Sequence, residues 1–262
     1  MTEEEREKSK QKWQAIIADY HRTAKTYSTM NALHTLAQHW VENEVIIERA
    51  AKEETDKNGP KWIPDSEDND SVGEYLAERN LARDLHDHTM LPMHRYSCIV
   101  MLFSAVEREL IRVIENLEKG KWKKIRDEKA GRNVSPIKEA GKLFHDFCGA
   151  KLSDYPQYEA LIDLQKIRDC IIHSKGEVAL SRDKEHLVEL WLGEKSKSKK
   201  RRGFAAHWNN HIFIYPECIK QFLMEVWAFF VWVFEKLNWG IAAHWQGNKL
   251  EKTFEKLKTI TP

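Results

Sequence analysis

The stretch YEALIDLQKIRDCIIHSKG, Tyr158 to Gly176, decides how this chain folds. Leu161, Leu164, Ile167 and Ile171 recur at three- and four-residue spacing, which predicts a helix with one apolar side. Gly176 supplies the stop just beyond it. At roughly 100° per residue, Gln165, Asp169 and His173 fall near one line, and Arg168 lies at the edge of the same arc, about 7.5 Å of rise below the histidine. The helix therefore ends with a polar, cationic stripe opposite its apolar one.

The two cationic groups of that stripe differ in a useful way. A guanidinium keeps its charge and presents forked donors, whereas an imidazole titrates near neutral pH. Set five residues apart, Arg168 and His173 suit one phosphodiester, and the pair suits RNA cleavage. Asp169 precedes His173 by four residues on the same side, where it is expected to accept from the imidazole and fix its tautomer. Ser174 and Lys175 follow as expected contacts to the RNA backbone. The same residues also suit a structural role, because Arg and His near a helix C-terminus meet its partial negative charge, typically for about 0.3–1 kcal/mol each.

Residues 168 to 173 resemble the R-(N/D/H)-x-x-x-H signature of the HEPN superfamily, with Arg168, Asp169 and His173 at the defining positions and Cys170, Ile171 and Ile172 between them. The resemblance implies a mainly α fold, a HEPN-like helical bundle. It implies a metal-independent endoribonuclease of the prokaryotic defence and toxin kind, with Arg168, His173 and Asp169 catalytic and no cofactor. Resemblance and chemistry together predict a homodimer whose motif helices face across a two-fold axis, with RNA as substrate and an antitoxin or defence-operon protein as a further partner. Superfamily members also act as nucleotide-binding, RNA-binding or protein-interaction modules, so a non-catalytic binding domain is the competing expectation.

Outward from the motif, HRYSCIVMLFSAVERELIRVIENLEKG, His94 to Gly120, carries Ile99, Leu102, Val106, Leu110, Val113 and Leu117 at helical spacing and predicts a long core helix. Its Glu107, Glu109 and Arg112 look like the long helix of the same superfamily, but Ile111 and Val113 stand where a Glu-x-x-x-Lys/Arg element would need a cation. The amino-terminal residues 1–56 predict a charged helical extension, ended by the Gly-, Pro- and Asp-rich loop Lys57 to Gly73. A HEPN-like domain is expected over residues 72–262. Within it, Lys121 to Asn133 predicts a helix end and loop, and Pro136 and Pro156 predict helix starts. Leu187 to Leu192 and His211 to Tyr215 predict two strands, a small β-hairpin at about 185–215 before the last long helix, Glu217 to about Asn238.

Composition bounds the remainder. With 262 residues, 42% apolar and 32% charged, the chain can bury a sizeable core as a soluble globular protein. Basic and acidic residues balance at 42 against 41, so attraction to nucleic acid has to be local. KSKSKKRR, Lys195 to Arg202, is a local source, and Lys197, Lys199, Lys200, Arg201 and Arg202 are expected to bind RNA, although a solvated connection has the same composition. Four dispersed cysteines and the lack of an apolar leader predict a reducing cytoplasm. No metal is expected: Cys170 with His173 makes half a zinc site, and the histidines of HDHTMLPMH and HWNNH lack a convincing carboxylate or thiolate partner. VWAFFVWVF, Val226 to Phe234, is too short for a bilayer and predicts a buried helix, so no membrane is expected. A glycine-rich phosphate loop, a GxSxG turn and an HExxH helix are absent from the sequence, which counts against NTPase, hydrolase-elbow and zincin chemistry.

Overall fold

The computed structural model describes residues 3–65, 68–85, 89–129, 134–192, 204–208, 211–241, 245 and 249–259. Helices dominate. In chain order they are α1 (Glu3–Asn58), α2 (Asn69–Leu85), α3 (Leu91–Leu117), α4 (Lys121–Glu128), α5 (Pro136–Cys148), α6 (Tyr158–Ser174), α7 (Lys184–Leu192), α8 (Pro216–Lys236) and α9 (Lys249–Phe254). Strands β1 (Phe204–Trp208) and β2 (His211–Ile214) pair antiparallel between α7 and α8, with Phe204 opposite Ile214 and Trp208 opposite His211. Two compact units interleave along the sequence: Met1–Thr35, Met101–Gln165 and Gln221–Lys249 form one, and Leu36–Val100, Lys166–Lys220 and Leu250–Pro262 form the other. Both units therefore draw on the amino-terminal helix.

The first unit is built on aromatic packing. Phe222, Phe229, Phe230 and Phe234 of α8 are buried, as are Phe103, Val106 and Leu110 of α3. Tyr155 sits between Phe229 and Trp232, with ring centroids at 5.5 and 5.7 Å, and Phe144 of α5 meets Trp232 at 5.5 Å. Offset and edge contacts of this kind add about 0.5–1.5 kcal/mol beyond area burial. Thus the run Val226–Phe234 is a core helix, and no described helix is long and apolar enough to cross a membrane.

The second unit holds the motif. Its core joins Trp40 and Val41 of α1, Cys98 and Ile99 of α3, Ile167 and Cys170 of α6, Leu187 of α7, Ile212 and Ile214 of β2, and Phe254 of α9. Trp40 and Phe254 meet edge to face at 5.8 Å. Within this unit Glu44 and Arg95 are both buried, and Arg95 Nε donates to Glu44 Oε1 at 3.0 Å. The other end of the same guanidinium donates from Nη1 to Ile214 O at 3.3 Å, tying β2 to the second turn of α3.

Several sequence expectations are corrected. Leu187 to Leu192 is the greater part of helix α7 and not a strand, and the described strands of the hairpin are Phe204–Trp208 and His211–Ile214. Leu187 and Leu190, three apart, are both buried, and Leu187 N–H donates to Asp183 O at 3.0 Å, so the run follows the helical period of three to four. Lys121 to Glu128 is a separate helix where a helix end and loop are expected. Glu115 explains it: its carboxylate accepts the amides of Gly120 at 2.7 Å and Trp122 at 2.8 Å, satisfying a helix start that carries no cap of its own, while Ile125 is buried. Pro156 lies in the turn before α6 and does not open it. Pro136 does occupy the first turn of α5, as predicted.

Candidate functional site

The motif helix α6 buries Leu161, Leu164, Ile167 and Cys170. Cys170, not Ile171, completes the apolar side, and Ile171 is half-buried while Ile172 is exposed. The buried face therefore passes one residue earlier than the aliphatic spacing predicts. This shift leaves Arg168 and Asp169 half-exposed and His173 exposed in the last turn.

Helix α6 ends on a backbone turn that only a few residue types accept. Lys175 and Gly176 both have positive φ, at 54° and 82°. The Gly176 amide donates back to Cys170 O at 3.1 Å, and the Glu177 amide donates to Ser174 O at 2.8 Å. A Cβ at residue 176 would lie 2.8 Å from Tyr96 Cζ, inside any tolerable contact. Tyr96 comes from the first turns of α3 and donates its hydroxyl to Ile212 O, while the Ile212 amide donates to Gly176 O at 2.8 Å. Glu177 and His211 form an antiparallel bridge beside it. The end of the motif helix, β2 and the start of α3 are thus stitched at one point. Burial, with Cys170 nearby, pushes the Tyr96 phenol up to about 12, so it remains a donor.

Around the motif runs a chain of alternating charges. Arg168 Nη1 donates to Asp169 Oδ1 at 2.7 Å, and Arg182 Nη2 approaches Asp169 Oδ2 at 3.7 Å. Arg182 Nε then lies 3.8 Å from Asp183 Oδ2, and Lys166 Nζ lies 3.9 Å from Asp183 Oδ1. Arg182 is 84% exposed, which makes it the most open cation of this set. It escapes sequence reading because thirteen residues separate it from Asp169 and no motif links them.

The expectation that Asp169 holds the His173 imidazole is not met. Its carboxylate is taken by Arg168 and faced by Arg182, since a permanent guanidinium makes the stronger, charge-assisted bond. His173 makes no hydrogen bond or ion pair among the described residues. Ser174 is buried and drops out of the expected RNA-contacting set, whereas Lys175 is exposed. Lys197, Lys199, Lys200, Arg201 and Arg202 lie outside the described residues, as do His86 and His88. Cys170 and His173 do not share a face: the thiol is buried, and burial raises its pKa, while the imidazole is exposed.

His94, of the HDHTMLPMH group, has a side chain that is only 12% exposed. Its Nε2 lies 3.6 Å from Glu44 Oε2 and 3.8 Å from Cys98 Sγ. Burial pushes the Cys98 thiol up to about 12, with Glu44 adding to the effect, so a Cys–His–Glu alignment here holds a neutral thiol and no nucleophile. Glu109, flagged by sequence but not assigned to the site, is fully buried and belongs to the first unit, where it accepts from Thr29 Oγ1 at 2.7 Å and from Arg112 Nη1 at 3.0 Å.

Comparison of the chain with protein-family models, with curated proteins and with solved structures finds no match.

Proposed function

We propose that this protein is a metal-independent endoribonuclease that acts as a homodimer, in a phage-defence or toxin–antitoxin setting in the cytoplasm. The observation that carries the reading is the pairing of a half-exposed guanidinium, Arg168, with an exposed imidazole, His173, on the last turns of one helix. Their sequence context, which resembles the HEPN signature, supplies the reaction class. In that reaction neutral His173 takes the proton of a ribose 2′-hydroxyl, and the 2′-oxygen forms a bond to phosphorus. Arg168 offsets the negative charge building on the phosphoryl oxygens. The bond from phosphorus to the 5′-oxygen breaks, and the histidine of the second copy, or water, returns a proton to that oxygen. The products carry 2′,3′-cyclic phosphate and 5′-hydroxyl ends. Lys175, exposed beside the pair, and the basic segment 195–202 are the backbone contacts in this reading.

A second reading is favoured by one contact. Arg168 already donates to Asp169 at 2.7 Å, and a guanidinium so engaged serves a binding or protein-interaction surface as readily as a reaction. One experiment separates the two. Purified protein is incubated with RNA, in the presence of chelator, and the product ends are mapped. Cleavage with cyclic-phosphate ends, abolished by a 2′-deoxy sugar at the cut site and by Arg168→Ala, supports the nuclease. Retention of RNA without cleavage supports the binding module.

A further inference from the structure

The first unit contains a groove that plays no part in the motif chemistry. It has a volume of about 590 Å³, within the range of small-molecule sites, and opens between α5 and the turn that follows it. Ile137 and Leu152, both buried, form an apolar floor. Gly141 lies against Leu152, where an added Cβ would meet Leu152 Cδ1 at an ordinary 3.7 Å. Lys138, Lys142 and His145 recur at four- and three-residue spacing and so line one wall from a single face of α5. Lys151 lines the groove from the turn that follows α5.

Charge here departs from the chain as a whole. Lysines and arginines balance acids at 42 against 41 overall, yet the lining has three lysines against one carboxylate, Asp146. Asp146 lies 4.0 Å from His145 Nδ1, and Lys142 shares Glu139 with Lys129. Lys138 and Lys151 enter no ion pair among the described residues. Ammonium groups from a helix and from the turn after it favour a compact anion that several point charges can approach at once, and a phosphate has that form. The volume exceeds what a phosphate fills, and an apolar floor offers nothing to a fully hydrated ion. Tyr158, half-buried at the start of α6, adds an aromatic ring with a hydroxyl.

From three lysines, two on α5 and one on the turn after it, lining a groove with buried Ile137 and Leu152, we infer that this groove binds a small phosphate monoester with a planar, apolar body. The phosphate sits among Lys138, Lys142 and Lys151, and the body lies over Ile137 and Leu152 beside Tyr158. The site is independent of the ribonuclease reading, because none of its residues belongs to the motif.

The test uses the full chain and three probes: phenyl phosphate, inorganic phosphate and phenol. Titration by calorimetry, with amide chemical-shift mapping, should show saturable binding of phenyl phosphate, tighter than inorganic phosphate by roughly tenfold, with shifts centred on residues 137–158. The double variant Lys138→Gln/Lys151→Gln should weaken that binding by roughly tenfold or more, with an unchanged melting temperature because both side chains are exposed. Arg168→Ala and His173→Ala should leave it as it is, which keeps this site's failure distinct from that of the nuclease. Absence of saturable binding overturns the inference. So does equal binding of phenol alone, equal binding by the double variant, or displacement of phenyl phosphate by a polynucleotide at lower concentration.

Discussion

The phenol ring of Tyr96 occupies the space that a side chain at Gly176 would need: a Cβ there would fall 2.8 Å from Tyr96 Cζ. Glycine at this position is fixed twice, by its φ of 82° and by the ring pressed against it. Gly120 and Gly149 share the first constraint, at 79° and 72°, but have nothing within 4 Å. Comparing the three alanine variants therefore isolates the second. Gly176→Ala should cost about 1–3 kcal/mol more than either control, read as the difference in denaturant midpoints at constant m. Equal losses would mean that Tyr96 moves aside freely.

Tyr96 also sets an alkaline limit. Its folded-state value is raised from 10 to about 12, so the stability it contributes is fully present below pH 10 and is lost as pH rises towards 12. Tyr155, raised to about 12 by burial and by Glu225, behaves alike in the first unit. Tyrosinate absorbance should show these two phenols ionising last, together with unfolding. In Tyr96→Phe the alkaline fall in melting temperature should shrink.

Glu44 and Arg95 test a different kind of bond. Both are buried, and the guanidinium also holds Ile214 O at 3.3 Å. Glu44→Ala strands a buried cation and should cost about 3–5 kcal/mol. Glu44→Gln keeps an acceptor and should cost less. If circular dichroism melts show the two variants equally stable, the ion pair contributes nothing beyond its volume.

His94 gives a pH dependence on the acid side. Burial pushes its imidazole below the ordinary 6.5, although Glu44 pulls the other way, with Arg95 and His39 the further charges around it. A depressed imidazole leaves stability intact above pH 6.5 and removes it as pH falls through the folded-state value, because the unfolded chain binds the proton first. Wild type should lose melting temperature below pH 6.5 more steeply than His94→Gln. Parallel slopes would assign the acid loss to carboxylates alone.

At the motif, activity and stability should separate. His173 is exposed and makes no described bond, so His173→Ala should change stability by less than about 0.5 kcal/mol while abolishing RNA cleavage. Arg168→Lys keeps a charge but loses the forked donor, and should cut cleavage strongly as well. A His173→Ala protein that cleaves RNA at the wild-type rate removes the imidazole from the reaction.

How much of this was legible beforehand depends on whether the signal is local. The helical class, α3 as a long core helix, Pro136 at the start of α5 and the burial of Val226–Phe234 follow from apolar spacing that repeats within a few residues. The run Leu187–Leu192 misleads for the same reason, since LVELWL fits a period of two nearly as well as one of three, and burial of Leu187 with Leu190 chose the helix. Helix α4 was illegible because its start is satisfied by Glu115 of the preceding helix.

The sequence by itself determined that Arg168 and His173 share one helix end, because five residues of α-helix fix their separation and Gly176 ends the turn. It did not determine whom their neighbours bind. Asp169 belongs to Arg168 and Arg182, Ser174 is buried, and Gly176 is held by Tyr96 and Ile212. Arg182, Tyr96 and Ile212 stand thirteen, eighty and thirty-six residues from the groups they meet. Such pairings are chosen by which buried faces pack together, and only the tertiary structure carries that choice.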